Sequence, residues 1–143
     1  LGADYAVDHR KEDWHKEVFK ISKELAKEKG EAPGIDVIFE HIGGSHFNKE
    51  LTLLKYGATM VTTGATTGYD VPADLRQIFF KGINILGSTQ GTRAELEEGF
   101  YWMGQGKIKV IIDSIFTFEN AVDAHNKMLN GKGLVGKIIL KPE

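Results

Sequence analysis

Cysteine is absent from the 143 residues. That excludes disulfides and any thiolate zinc site, and it fits a reducing cytoplasm, the expected localisation. Long apolar runs are also missing: none approaches the ~20 residues a membrane helix requires, and no signal peptide is visible. Neither charge predominates. Eighteen Lys and Arg against twenty Asp and Glu give a formal net charge of -2, so nothing points to nucleic acid or an anionic membrane. Internal repeats and low-complexity linkers are lacking too. What remains is the composition of a soluble globular protein, 41% apolar and 27% charged, long enough for one domain with a real core.

The pattern along the chain alternates between strand and helix. Residues 4–9 ("DYAVDH") form a short strand candidate. In 11–29, Trp14, Val18, Ile21 and Leu25 mark one face of an amphipathic helix, with Glu12 and Asp13 near its N-terminal dipole and Gly30 as its stop. The charged stretch 23–31 reads as the solvated face. Residues 34–41 ("GIDVIFEH") form the second strand. Ser45 can cap a helix carrying Phe47, Leu51 and Leu54, closed by Gly57. Strands follow at 58–64 and 83–89, with a short helix at 72–80 between them. Thr92 and Glu95 have capping-box spacing and open a helix with Leu96, Phe100 and Met103 on one face. A strand at 111–118, a helix through Ala121, Ala124 and Met128, and a strand at 136–141 complete the pattern.

Such alternation implies α/β architecture: a doubly wound, mostly parallel sheet with helices on both faces. Val37–Phe39, Met60–Thr62 and Ile83–Leu86 are its expected interior strands. Ligands in these sheets lie beyond the carboxyl ends of the strands. Three candidate strands end there in polar or glycine-containing loops, at 40–44 ("EHIGG"), 62–68 ("TTGATTG") and 87–92 ("GSTQGT"). Glycine lets backbone approach a ligand, and Ser and Thr hydroxyls can hydrogen-bond it. His41, Ile42 and Gly43 are accordingly candidate cleft residues. Glu40 and His41 could be catalytic, or could be a polar strand end bordering the cleft.

Five stretches in this order ("LGADYAVDH", "GIDVIFEHIGG", "YGATMVTTGATTGY", "INILGSTQGT" and "AVDAHNKMLNGKGLVGKIILKP") resemble the medium-chain dehydrogenase/reductase superfamily, over essentially the whole chain. "FEH-x-G" and "ATTGY" are similar to its crotonyl-CoA reductase and quinone oxidoreductase-like branches. The resemblance implies a partial Rossmann-type fold: 1–108 as the later part of the nucleotide-binding domain, and 109–143 as a return segment belonging to the catalytic domain. It implies NADP or NAD as cofactor. It also places Gly64, Ala65 and Thr66, with Ser88, Thr89 and Gln90, where loop backbone lies near the nicotinamide; their other reading is simply tight strand-to-helix turns. The first strand, phosphate loop and second strand of the family have no counterpart here, nor does its preceding catalytic domain. The expectation is therefore a fragment, inactive in isolation, with any zinc held by residues outside the chain.

Other motifs carry less. Gly131, Gly133 and Gly136 spell G-x-G-x-x-G, but a helix precedes them and a strand follows, the reverse of a dinucleotide loop, so a structural turn is expected. His41 and His46 lack a third placed ligand, so no metal site is expected. His125 reads as structural, and His9 and His15 give no signal. Tyr5, Tyr56, Tyr69 and Tyr101 are followed four residues later by His, Met, Ala and Gln, which removes a Tyr-x-x-x-Lys catalytic pair. No residue is assigned as catalytic.

The resemblance implies hydride transfer between NAD(P)H and a small-molecule substrate, either an activated alkene (enoyl-CoA or quinone type) or a carbonyl. A homo-oligomer is expected. The alternatives are a zinc-dependent alcohol dehydrogenase, a non-catalytic nucleotide-binding module, and a methyltransferase-like α/β domain using S-adenosylmethionine.

Overall fold

A computed structural model describes residues 2–131 and 133–142. Leu1, Lys132 and Glu143 lie outside the described residues, including the first position of the opening stretch and the second of the glycine motif. The chain divides into two compact units, Leu1–Thr89 and Gln90–Glu143.

The first unit contains α1 (Trp14–Lys29), β1 (Ile35–Glu40), α2 (Phe47–Leu53), β2 (Leu54–Thr62), α3 (Leu75–Lys81) and β3 (Asn84–Gly87). The strands form one parallel sheet in the order β1-β2-β3, the α/β architecture implied by the alternation. The register rows run Val37–Thr59–Asn84, Ile38–Met60–Ile85, Phe39–Val61–Leu86 and Glu40–Thr62–Gly87. Side chains alternate between faces along each strand. The second and fourth rows therefore share one face, whose core is Leu51, Leu54, Ala58, Met60 and Ile83, with Ile38, Phe47 and Ile78 packed against it. Lys81 adds a polar clamp, donating from Nζ to the carbonyls of Leu51, Thr52 and Leu54 at 3.2, 3.0 and 3.1 Å. These satisfy C-terminal carbonyls of α2 and its junction with β2.

Five expectations are corrected. Residues 4–9 form no strand: apolar alternation suits a pleat, but a strand also needs a ladder, and among the described residues none pairs with this segment. Ser45 does not cap α2, whose N-cap is His46, without a side-chain cap bond. The helix stops at Leu53 rather than running to Gly57. β2 begins at once, and its ladder jumps from Leu54 to Thr59, leaving Gly57 (φ 72°) in the irregular stretch between. Among the described residues, helices do not cover both faces of the sheet either: on the row opposite the core, Phe39 is 75% and Leu86 53% exposed. Among the described residues, only β2 is an interior strand, and β1 and β3 are edges.

The second unit contains α4 (Arg93–Gly104), β4 (Ile112–Thr117), α5 (Ala121–Asn130) and β5 (Lys137–Lys141). Thr92 and Glu95 make the full capping box of α4. Its expected apolar face is uncovered, with Leu96 and Phe100 both exposed. Strands β4 and β5 pair in parallel, joined by α5 as a crossover. Asp113 ties β4 to α5 and to the stretch ahead of β5: its carboxylate pairs with Lys127 Nζ and accepts from Ser114 Oγ at 2.9 Å and Val135 N at 3.1 Å. The glycine motif is the turn from α5 into β5. Gly131 caps the helix in the left-handed region, and a Cβ on Gly136 would fall 2.3 Å from the Ile111 carbonyl oxygen.

Among the described residues, no helix is long and apolar enough to cross a membrane.

Candidate functional site

Because the three strands are parallel and in register, the row Glu40–Thr62–Gly87 brings three strand ends to one edge of the sheet. The loops leaving Glu40 and Thr62 are laced together. Thr66 donates to the His41 carbonyl from its amide at 3.3 Å and its hydroxyl at 3.2 Å. Thr67 does the same to the Ile42 carbonyl, at 2.8 and 2.9 Å. Gly44 N donates to Gly68 O at 3.0 Å. At the third strand end, Ser88 N donates to Thr62 O at 2.9 Å.

Gly43 sits where the two loops cross. Its φ is +70°, and a Cβ there would lie 2.3 Å from Gly68 O, so only glycine fits. Gly64 is different. Its φ is not in the left-handed region, and its nearest neighbour to a Cβ would be His41 O at 3.5 Å. It faces solvent with Ala65 and Thr66.

Beneath the loops lies Glu40, 2% exposed. Its Oε1 accepts from Ile42 N at 2.6 Å and Gly43 N at 2.5 Å, and its Oε2 accepts from Thr62 Oγ1 at 3.1 Å. Its backbone carbonyl accepts from the amide and hydroxyl of Thr63 at 2.8 and 3.2 Å. Glu50, on α2, is also buried, and its Oε2 has no hydrogen-bond partner among the described residues. Desolvation, reinforced by the Glu40 charge, pushes its carboxyl up to about 7.

The structure thus brings His41, Ile42, Gly43, Gly64, Ala65, Thr66 and Ser88 to one sheet edge. Thr89 follows Ser88 on the surface, while Gln90 opens the second unit and is described with it. The residues that hold the edge together (Glu40 Oε1 and Oε2, with Thr62, Thr63 and Thr67) were not singled out as such in the sequence. A signal existed: Glu40 lies two positions after Ile38, and therefore on the core-facing side of β1, where a carboxylate requires donors.

A strand followed by Gly43-Gly44 and a helix suggests an anion turn. The amides of Ile42 and Gly43, however, are already taken by Glu40 and that of Gly44 by Gly68, so this turn carries its own anion. His9 lies beside His46, with ring nitrogens 3.5 Å apart, and Trp14 stacks on His46 at 5.4 Å. Among the described residues, no group of three His, Cys, Asp or Glu could hold a metal ion, so a zinc site does not fit the residues described.

A family model for zinc-binding dehydrogenases matches residues 1–140. The quinone oxidoreductase of Pongo abelii is 33% identical over 133 residues, spanning 88% of this chain and 39% of that protein. The crotonyl-CoA reductase of Streptomyces collinus is 29% identical over 156 residues, all of this chain and 34% of that protein. A crystal structure of an NAD-dependent alcohol dehydrogenase superposes with a TM-score of 0.77 at 26% identity, covering 98% of this chain and 38% of the other. The chain therefore spans well under half the length of these relatives.

Proposed function

The chain belongs to the zinc-binding dehydrogenase family, and from that premise we propose that it supplies the nicotinamide side of an NAD(P)H-dependent oxidoreductase. The supporting observation is the register row Glu40–Thr62–Gly87, which delivers three loops to one sheet edge, where α/β sheets bind ligands. We assign 1–108 to the later part of the nucleotide-binding domain and 109–143 to the return segment of the catalytic domain.

A bound dinucleotide supplies the hydride chemistry. This chain's residues bind and orient it: the exposed residues Gly64, Ala65 and Thr66, flanked by His41, Ile42 and Gly43 and by Ser88 and Thr89, offer a rim with little side-chain bulk. The pyrophosphate is not held at Gly43-Gly44, whose amides are engaged internally. The proposed substrate is an activated alkene of the enoyl-CoA or quinone type, in keeping with the likeness to a quinone oxidoreductase and a crotonyl-CoA reductase. A second reading, favoured by the likeness to an NAD-dependent alcohol dehydrogenase, is alcohol–carbonyl interconversion, with any zinc held outside this chain. We assign the enzyme to the cytoplasm and expect a homo-oligomer.

The test is a fluorescence titration of the full-length protein with NADPH and NADH, followed by NADPH oxidation with crotonyl-CoA and with a quinone. Gly64→Val, which the local backbone tolerates, should weaken dinucleotide binding by at least about tenfold, roughly 1.4 kcal/mol. Unchanged affinity in a folded variant refutes this placement of the cleft. Tight binding without turnover of an alkene, quinone or alcohol favours the non-catalytic module.

A further inference from the structure

We propose that Glu40 is a positioning residue for the dinucleotide cleft, a buried internal anion that sets the orientation of the His41–Gly43 loop. This rests on the cofactor reading above.

Two consecutive peptide planes carry the inference. In the trans peptide between His41 and Ile42, N–H and C=O point in opposite directions. The Ile42 N–H donates to Glu40 Oε1, while the His41 carbonyl accepts from the amide and hydroxyl of Thr66. The next peptide repeats the arrangement, with Gly43 N–H on Glu40 Oε1 and the Ile42 carbonyl on the amide and hydroxyl of Thr67. Each plane is pinned at both ends, so neither can rotate without breaking bonds on two sides. Meanwhile Oε2 anchors the carboxylate to Thr62, the last residue of β2. One side chain therefore fixes the rotation of both peptides and ties them to the strand that feeds the Gly64–Thr66 loop.

A carboxylate 2% exposed is costly unless its oxygens are satisfied. Packing alone would be served as well by leucine, which could not hold the two amides. What Glu40 adds is acceptor geometry, and the surface so oriented is the one carrying His41, Ile42 and Thr66.

The experiment measures NADPH affinity and binding stoichiometry in the full-length protein and in Glu40→Leu, Glu40→Gln and Thr62→Val. Gln retains an acceptor oxygen for both amides, and its NH2 group can donate to Thr62. Glu40→Leu should weaken binding at least about tenfold at unchanged stoichiometry, Thr62→Val about threefold, and Glu40→Gln should recover most of the affinity. A merely structural role would instead lower the stoichiometry, by reducing the folded fraction, and leave the dissociation constant of the remainder unmoved. Should Glu40→Leu not fold, Thr62→Val, which keeps the side-chain volume, decides the matter. Wild-type affinity in folded Thr62→Val and Glu40→Leu overturns the role of Glu40. A wild-type protein that binds neither dinucleotide overturns the cofactor reading, and this inference with it.

Discussion

Glu50 shows what a buried carboxyl does when one of its oxygens has no partner among the described residues. Its folded value, about 7, lies above the ordinary 4.5, because burial and the Glu40 charge disfavour ionisation. The unfolded chain therefore releases its proton first. The contribution of Glu50 to stability is fully present below about pH 4.5 and is lost as pH rises through about 7. Glu50→Gln removes the ionisation and keeps the shape. It should raise stability at pH 8 by on the order of 2 kcal/mol, and by much less at pH 5. Urea denaturation at the two pH values checks this; an equal change at both would show that the Glu50 charge is not the cause.

At the scale of elements, the second unit depends on a polar knot rather than on a deep core. Ala124 is its one buried apolar residue among those described. Asp113, on β4, is held to about 2 by the hydrogen bond from Lys127 on α5, by the Val135 amide ahead of β5, and by Ser114. A depressed value means that stability is present above the unfolded value of 3.8 and is lost as pH falls through about 2. Asp113→Asn should therefore loosen β5 at pH 7, read as faster hydrogen exchange at Ile138, Ile139 and Leu140. The difference from wild type should shrink toward pH 2. Exchange unchanged at pH 7 would mean that strand pairing alone holds this unit.

At the scale of the whole molecule, the described residues leave apolar surface without cover. Among them β1 is an edge strand. Between it and α1 runs a trough of about 670 Å³, lined by Trp14, Val18, Ile21, Leu25 and Val37 among others. Phe39 and Leu86 are exposed on the sheet face opposite the core. An open strand edge beside apolar surface invites pairing with another chain. We expect a polypeptide of these residues to sediment as a dimer or larger species. A monodisperse monomer across the concentration range would refute the expectation.

The α/β class was legible in the sequence because its signals are local. Val37 to Phe39 and Met60 to Thr62 mark strands, Trp14, Val18, Ile21 and Leu25 mark one face of a helix, Gly30 stops that helix, and Thr92 with Glu95 starts another. Each is a choice a few neighbouring residues make among backbone states, through sterics, capping and burial of a stripe. The strand-end loops at His41–Gly43 and Gly64–Thr66 were legible for the same reason. Tertiary structure decided what depends on distant partners. Residues 4–9 alternate like a strand but have no described ladder partner, and α2 gives way to β2 at Leu54, where pairing with β1 begins. Glu40 reads locally as a polar strand end. It becomes a three-bond anchor only when Thr62, twenty-two residues away, closes over it. Hydrogen bonds across such separations are set by the register between strands, and register arises only when the chain packs.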